Sequence, residues 1–217
     1  MDVQRTREFV ESHPRIKEPK RQLIFPALDA YESLRNASSI SEAELQPIIE
    51  AACCRWVSVW DTGGRALAEF ACNHPAAQNA FRKMMASRKN NERYQAIASL
   101  SPGMPKPLLQ ELLTLGLSDR SKSVRAKTAD RCDVLRFQEM LPKLLQRIEV
   151  EFDAQVKERL EFHTAMLQEG YLIRPEEDGS LLLSIRTKSG WSFRTVTQDD
   201  VDSDRVPAIV AEAQARP

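Results

Sequence analysis

The chain has 217 residues, 42% of them apolar and 29% charged, with 31 basic side chains balanced by 31 acidic ones. That length buries a core without covalent staples, and that balance excludes an intrinsically disordered chain. Zero net charge gives no global pull toward nucleic acid or an anionic membrane, and seven glycines are too few for a β-rich fold with many tight turns or for a glycine cradle around a nucleotide.

Residues 2–12 read as a short charged helix with Phe9 and Val10 as its apolar positions, ended by His13-Pro14 because the residue before proline avoids helical backbone angles. The segment has no apolar core of a secretory leader, and no run in the chain approaches the ~18 apolar residues of a membrane span, so a cytoplasmic location is expected. A second helix is predicted over 22–35, with Leu23, Ala27, Tyr31 and Leu34 on one stripe; Pro26 fits it only in the first turn.

After a loop at 36–40, Ser41-x-x-Glu44 is a capping box. The helix it opens is expected to run to about Trp60, burying Ile48, Ala52, Trp56 and Trp60 at every fourth position, and to be broken by Asp61-Thr62-Gly63-Gly64. A shorter helix to Cys72 carries Leu67, Phe70 and Ala71. Pro75 suits a first helical position, and the helix it starts buries Ala77, Phe81, Met84 and Met85. A basic stretch at 87–93 leads to a helix marked by Tyr94, Ile97 and Leu100 and stopped by Ser101-Pro102-Gly103. Two helix pairs follow over 105–133 and 137–168. Phe137, Met140, Leu141, Leu144, Leu145 and Ile148 keep the helical period in the last pair, and Phe152, Val156, Leu160, His163 and Leu167 share a stripe on its second helix.

Past Gly170 the period becomes two: Leu181, Leu183 and Ile185 alternate with Leu182, Ser184 and Arg186, and Trp191, Phe193 and Thr195 with Ser192, Arg194 and Val196. With 171–174, and with turns at Asp178-Gly179 and Lys188-Ser189-Gly190, these make a three-stranded antiparallel meander. An acidic link at 198–204 leads to a short helix with Val206, Ile209 and Val210. Residues 1–168 are therefore expected as a helical domain and 169–217 as a β-meander with a terminal helix. The meander either caps the last helix pair, with Trp191 and Phe193 as cover, or offers its free edge to a partner strand.

Shifted by 32 residues, the segment 108–125 overlays the next: Leu109 on Leu141, Leu112 on Leu144, Leu113 on Leu145, Asp119 on Glu151, Val124 on Val156 and Arg125 on Lys157. Shifted back by 32 it meets Ala77, Ala80, Phe81, Met84 and Arg93. A helical repeat of this period means a solenoid, because one hairpin cannot bury its own apolar face. The pattern Leu108-Leu109-x-x-Leu112-Leu113, Asp119, Val124-Arg125 resembles a HEAT repeat, as does Met140-Leu141-Pro142-x-Leu144-Leu145, Glu151, Val156-Lys157. The resemblance covers 41–168, strongly 105–160, and implies a mainly α protein, an α-solenoid of HEAT-like helix pairs. It also implies that the acid sits in the turn between two helices and the base in the second helix, together locking neighbouring repeats. The repeat is shorter than the ~40–47 residues usual for that family.

The chemistry-bearing residues are sparse. Cys53, Cys54, Cys72 and Cys132 form no C-x-x-C pair and read as free, apolar thiols, which fits a reducing compartment. His13, His74 and His163 lie near no cysteine at ligand spacing, so neither metal nor cofactor is expected. No nucleophile elbow, metalloprotease helix, P-loop or dinucleotide fingerprint occurs. Some alkylpurine DNA glycosylases are built from HEAT-like repeats and carry a Trp-Asp pair with a second Asp three residues on. Trp60-Asp61 matches that pair, but Gly64 stands where the catalytic acid belongs.

Residues 81–130 hold ten Lys and Arg against four Asp and Glu. Arg82, Lys83, Arg88, Lys89, Arg93, Lys122 and Lys127 are thus candidate contacts to an anionic partner, provided they share a face, and a nucleic-acid binder would use them on phosphates. The plainer reading makes Asp119 and Arg125 structural ladder residues, His163 a packed histidine, and Trp56 and Trp60 core. The function expected from this architecture is non-catalytic protein binding on an extended groove, as an adaptor, a regulator or an immunity-type inhibitor. Nucleic-acid binding is the alternative, and neither a membrane nor a small-molecule substrate is indicated.

Overall fold

The structure is a computed structural model and describes residues 1–188 and 190–215; of the turn expected at Lys188-Ser189-Gly190, Ser189 lies outside the described residues. The described chain is mainly helical, with a three-stranded antiparallel sheet near its C-terminus. The helices are α1 (Val3–Ser12), α2 (Arg21–Leu34), α3 (Gln46–Ala52), α4 (Val57–Ala71), α5 (Pro75–Ala86), α6 (Asn90–Ala98), α7 (Lys106–Leu117), α8 (Lys122–Val134), α9 (Leu141–Val150), α10 (Ala154–Gln168), α11 (Gln198–Asp202) and α12 (Val206–Ala215). The strands are β1 (Tyr171–Pro175), β2 (Leu181–Arg186) and β3 (Trp191–Val196). Two compact units result, Met1–Arg131 and Cys132–Pro217. The contacts thus divide after Arg131, whereas the sequence placed the boundary after 168.

In the first unit α3 packs on α4, α5 on α6, and α5 also on α7. Ile48, Leu67, Phe81, Ile97, Leu108 and Leu112 are fully enclosed, each a side chain whose burial contributes about 1.5–3 kcal/mol. Several expectations are corrected here. The Ser41–Glu44 capping box forms, with Ser41 N–H on Glu44 Oε2 at 2.8 Å and Glu44 N–H on Ser41 Oγ at 3.4 Å, but it opens a turn, and α3 starts only at Gln46. The long helix to Trp60 is two helices, interrupted over 53–56, so Trp56 and Trp60 are half-buried and do not continue the stripe of Ile48 and Ala52.

Asp61-Thr62-Gly63-Gly64 does not break a helix; it lies inside α4. The reason is close approach. A Cβ on Gly63 would stand 2.4 Å from the Ala52 backbone nitrogen, and one on Gly64 would stand 2.1 Å from Ser99 Oγ. Glycine's usual cost in a helix is offset by the packing its bare Cα permits. Pro26 sits in the second turn of α2, beyond the first turn that the sequence reading required.

The second unit is layered. β2 is central, antiparallel to β1 and β3, and the register pairs Leu183 with Arg194 and Leu181 with Val196. Cross-strand partners share a face, so Leu183, Ile185 and Val196 point together toward Val206, Val210 and Ala213 of α12. Trp191 and Phe193 fall on the opposite face, outside the core shared with α12, and are 41% and 59% exposed. On that face Trp191 meets Phe162 of α10 at 5.5 Å between ring centroids. The α9–α10 hairpin buries Leu144, Val156, Leu160, His163 and Leu167, but Leu145 is exposed and Phe152, set in the connecting turn, is 97% exposed. The acidic link contains α11, closed by a capping box between Thr197 and Asp200.

Candidate functional site

The 32-residue spacing read from the sequence has a hydrogen-bonded counterpart in the turns. Ser87, Asp119 and Glu151 stand 32 residues apart, each between two helices, and each side-chain oxygen accepts the backbone N–H two residues on: Lys89 at 3.2 Å, Ser121 at 2.7 Å and Asp153 at 3.1 Å. Six residues after the first two stands an arginine. Arg93 donates to the Ser87 carbonyl at 2.8 Å, and Arg125 to the Asp119 carbonyl at 2.9 Å. The sequence pattern identified Asp119, Glu151, Arg93 and Arg125, but missed Ser87, because a hydroxyl fills a place that the two later turns give to carboxylates.

Arg93 also reaches forward. Its Nε and Nη2 donate to the two carboxylate oxygens of Asp119 at 2.6 and 2.9 Å, with both side chains 6% exposed. Burial alone would raise the Asp119 pKa; the Arg93 fork, the Ser121 N–H and the nearby charges of Arg93 and Arg120 outweigh it and hold the carboxyl below its ordinary value. This buried rung ties the α5–α6 hairpin to the turn that follows α7, and it takes Arg93 out of the set of surface cations.

The other six candidates are dispersed. Arg82 forks onto Glu111 of α7 at 2.9–3.1 Å, and Lys83, next in sequence, turns the other way to Glu42. Lys89 is held by Glu92 at 2.9 Å, and Lys127 by Asp130 at 2.6 Å. Arg88 is exposed at the α5–α6 turn, where its carbonyl accepts from Arg120, and Lys122 is exposed at the start of α8. Acids thus engage Arg82, Lys83, Lys89, Arg93 and Lys127, and these five point to different neighbours instead of forming one cationic face.

A groove of about 530 Å³ runs along α4, the end of α6 and α8, lined by Trp60, Asp61, Arg65, Glu69, Leu100, Lys127 and Arg131 among others. Trp60 stands edge-on to Tyr94, with centroids 6.5 Å apart, and Arg65 pairs with Asp61 at 3.1 Å. Arg131 donates to the Leu100 carbonyl; burial lowers its pKa, while Asp130 and Asp61 act against that shift. The charged side chains of this lining are three basic and two acidic, a mixed surface with an aromatic at its edge. Arg65 and Arg131 were not legible as site residues, because the fold alone brings α4 beside α8.

The geometry also bears on the glycosylase pattern. Trp60 and Asp61 do face this groove, but position 64 is packed on Ser99 and has no room for a side chain. Among the described residues no group of three or more His, Cys, Asp or Glu is placed to hold a metal, and no helix is long and apolar enough to cross a membrane. Compared with family models, curated proteins and solved structures, the chain matches none.

Proposed function

We propose that the chain is a non-catalytic binding module, a HEAT-like α-solenoid whose second-helix groove takes a protein partner. The observation that carries this is the recurrence of one turn, with its acceptor side chain and its arginine six residues on, at Ser87/Arg93 and Asp119/Arg125. Similar local joints, the first two linked by the Arg93–Asp119 rung, would repeat one hairpin-to-hairpin step, and repeated steps generate an extended surface instead of a closed pocket. The mixed lining of that surface suits a protein, since near-balanced charge beside an aromatic anchor is what a protein interface offers. A phosphate backbone would require unpaired cations on one side. The module would work in the cytoplasm as an adaptor, regulator or inhibitor, with the C-terminal meander covering the end of the helical stack.

The test is affinity capture with the full chain alongside a Trp60→Ala, Arg131→Ala variant. The expected result is a protein recovered in stoichiometric amount by the wild type and lost by the variant at unchanged circular dichroism. Capture of nucleic acid alone, released by salt, would overturn the reading.

A further inference from the structure

We infer that the second unit carries an oxyanion site in which Arg159, His163 and Arg174 hold a phosphate group. Helix α10 places Gln155, Glu158, Arg159, Phe162 and His163 at i, i+3, i+4, i+7 and i+8, hence on one face. With Arg174 of β1 they line a single surface cavity of about 530 Å³.

The histidine is oriented from behind. Asp133, wholly buried, lies 3.1 Å from His163 Nδ1 and also pairs with Arg186. A carboxylate already matched to a guanidinium accepts, so Nδ1 carries the hydrogen and Nε2 is the ring nitrogen left for the cavity. Nε2 has no hydrogen-bond partner among the described residues.

The guanidinia are placed differently from each other. Arg174 lies over the Phe162 ring at 5.2 Å and touches Glu158 at 3.4 Å, and its Nε is buried without a hydrogen-bond partner. Its guanidinium thus lies against the Phe162 ring, with one donor left for a ligand. Arg159, one turn ahead of His163, makes no hydrogen bond or ion pair among the described residues. Two forked cations face one carboxylate, Glu158, because Asp133 is spent on Arg186. Planar guanidinium forks match phosphate oxygens two at a time, and a proton shared between His163 Nε2 and a phosphate oxygen makes a third contact. A neutral or cationic ligand would leave these charges uncompensated.

The inference concerns the second unit alone and does not depend on the groove of the first. The experiment follows the His163 ring resonances of the full chain by NMR during titration with sodium phosphate, against sodium chloride at matched ionic strength. The expected result is a saturable shift with a dissociation constant on the order of 1 mM, about 4 kcal/mol of binding, weakened at least tenfold in both Arg159→Gln and Arg174→Gln and unchanged in Arg82→Gln. O-phosphoserine distinguishes the source: tighter binding than inorganic phosphate assigns the site to a monoester, weaker binding to the free ion. A chloride titration that reproduces the shift, or a shift retained in both arginine variants, overturns the proposal. Should Arg174→Gln lose structure, Arg159→Gln, an exposed substitution, decides alone.

Discussion

In the first unit the buried guanidinium of Arg93 meets both oxygens of Asp119 and the carbonyl of Ser87, so a charge taken out of water is matched atom by atom. In the second unit Asp133 is shared between His163 and Arg186, while Thr164 Oγ1, Ser184 Oγ, Arg174 Nε and Arg186 Nε are buried with no hydrogen-bond partner among the described residues. The first unit has two such atoms, Gln95 Oε1 and Arg131 Nε, and Arg131 lines its groove. In the first unit the same turn hydrogen bonds recur at Ser87/Arg93 and Asp119/Arg125. A sheet laid between α10 and α12 has no such recurrence, and its unmatched polar atoms gather on the α10 side, where a ligand or water can complete them.

The strongest way to break this comparison is to remove the rung. Asp119→Ala strands a buried guanidinium and should cost about 3–5 kcal/mol, read as a fall in the urea midpoint, whereas Arg93→Met combined with Asp119→Leu should recover most of that loss. A double variant no better than the single one would show that the rung is not an isolated pair. The rung also sets an acid limit. Asp119 has a folded pKa below its unfolded value of about 3.9, so its contribution is complete above that value and is lost as pH falls through the folded pKa. Asp119→Asn should flatten the stability profile below about pH 4.

Next in size is Leu183→Ala, which empties the centre of the cluster between β2 and α12 and should cost about 2–4 kcal/mol. Amide exchange should accelerate across β1–β3 and α12 but not across α3–α6. Equal acceleration in both regions would show that the two units share one cooperative transition. Smaller again is Gly63→Ala, at about 1–3 kcal/mol. The added methyl meets the Ala52 backbone, which cannot rotate aside as a side chain can, so α3 and α4 must separate. Wild-type stability in this variant would show that the two helices are not in close contact at that point.

Where the sequence spoke through period, it was legible. The helices over 75–86 and 106–117 and the switch to period two after Gly170 appear where periodicity placed them, and Asp119 and Glu151 stand in turns as the resemblance implied. Local rules misled where tertiary contact decides. Gly63-Gly64 reads as a break until Ala51, Ala52 and Ser99 are seen against it. Phe152 fits its stripe by spacing but sits in a turn, before α10 begins. On β3 the pattern is two-fold whichever side faces in, and only the pairing of Leu181 with Val196 fixes the phase. The basic stretch looked like a patch because sequence records charge but not the acids that fold against it: Glu42, Glu111 and Asp119 lie 26 to 41 residues from their partners. His163 was placed on the α10 stripe as a packed histidine, and neither Arg159 nor the arrival of Arg174 beside it was legible, since the fold alone brings β1 against α10.

The smallest expected effect isolates burial as the cause of the difference. Arg82 and Arg93 lie on consecutive helices of one hairpin, and each forks onto a carboxylate, at 2.9–3.1 Å and at 2.6–2.9 Å. The side chains of Arg82 and Glu111 are 41% and 40% exposed, however, against 6% and 6% for Arg93 and Asp119. Water solvates Arg82 when its partner is removed, so Arg82→Ala should cost only about 0.2–1 kcal/mol. Half-molar salt, with a screening length of about 4–5 Å, should erase even that. The Arg93 rung, with both side chains 6% exposed, should lose little under the same salt. Equal costs for Arg82→Ala and Arg93→Ala, or equal salt sensitivity, would mean that geometry rather than desolvation sets the strength of these pairs. The first unit's buried rung would then be no stronger a joint than an ion pair on its surface.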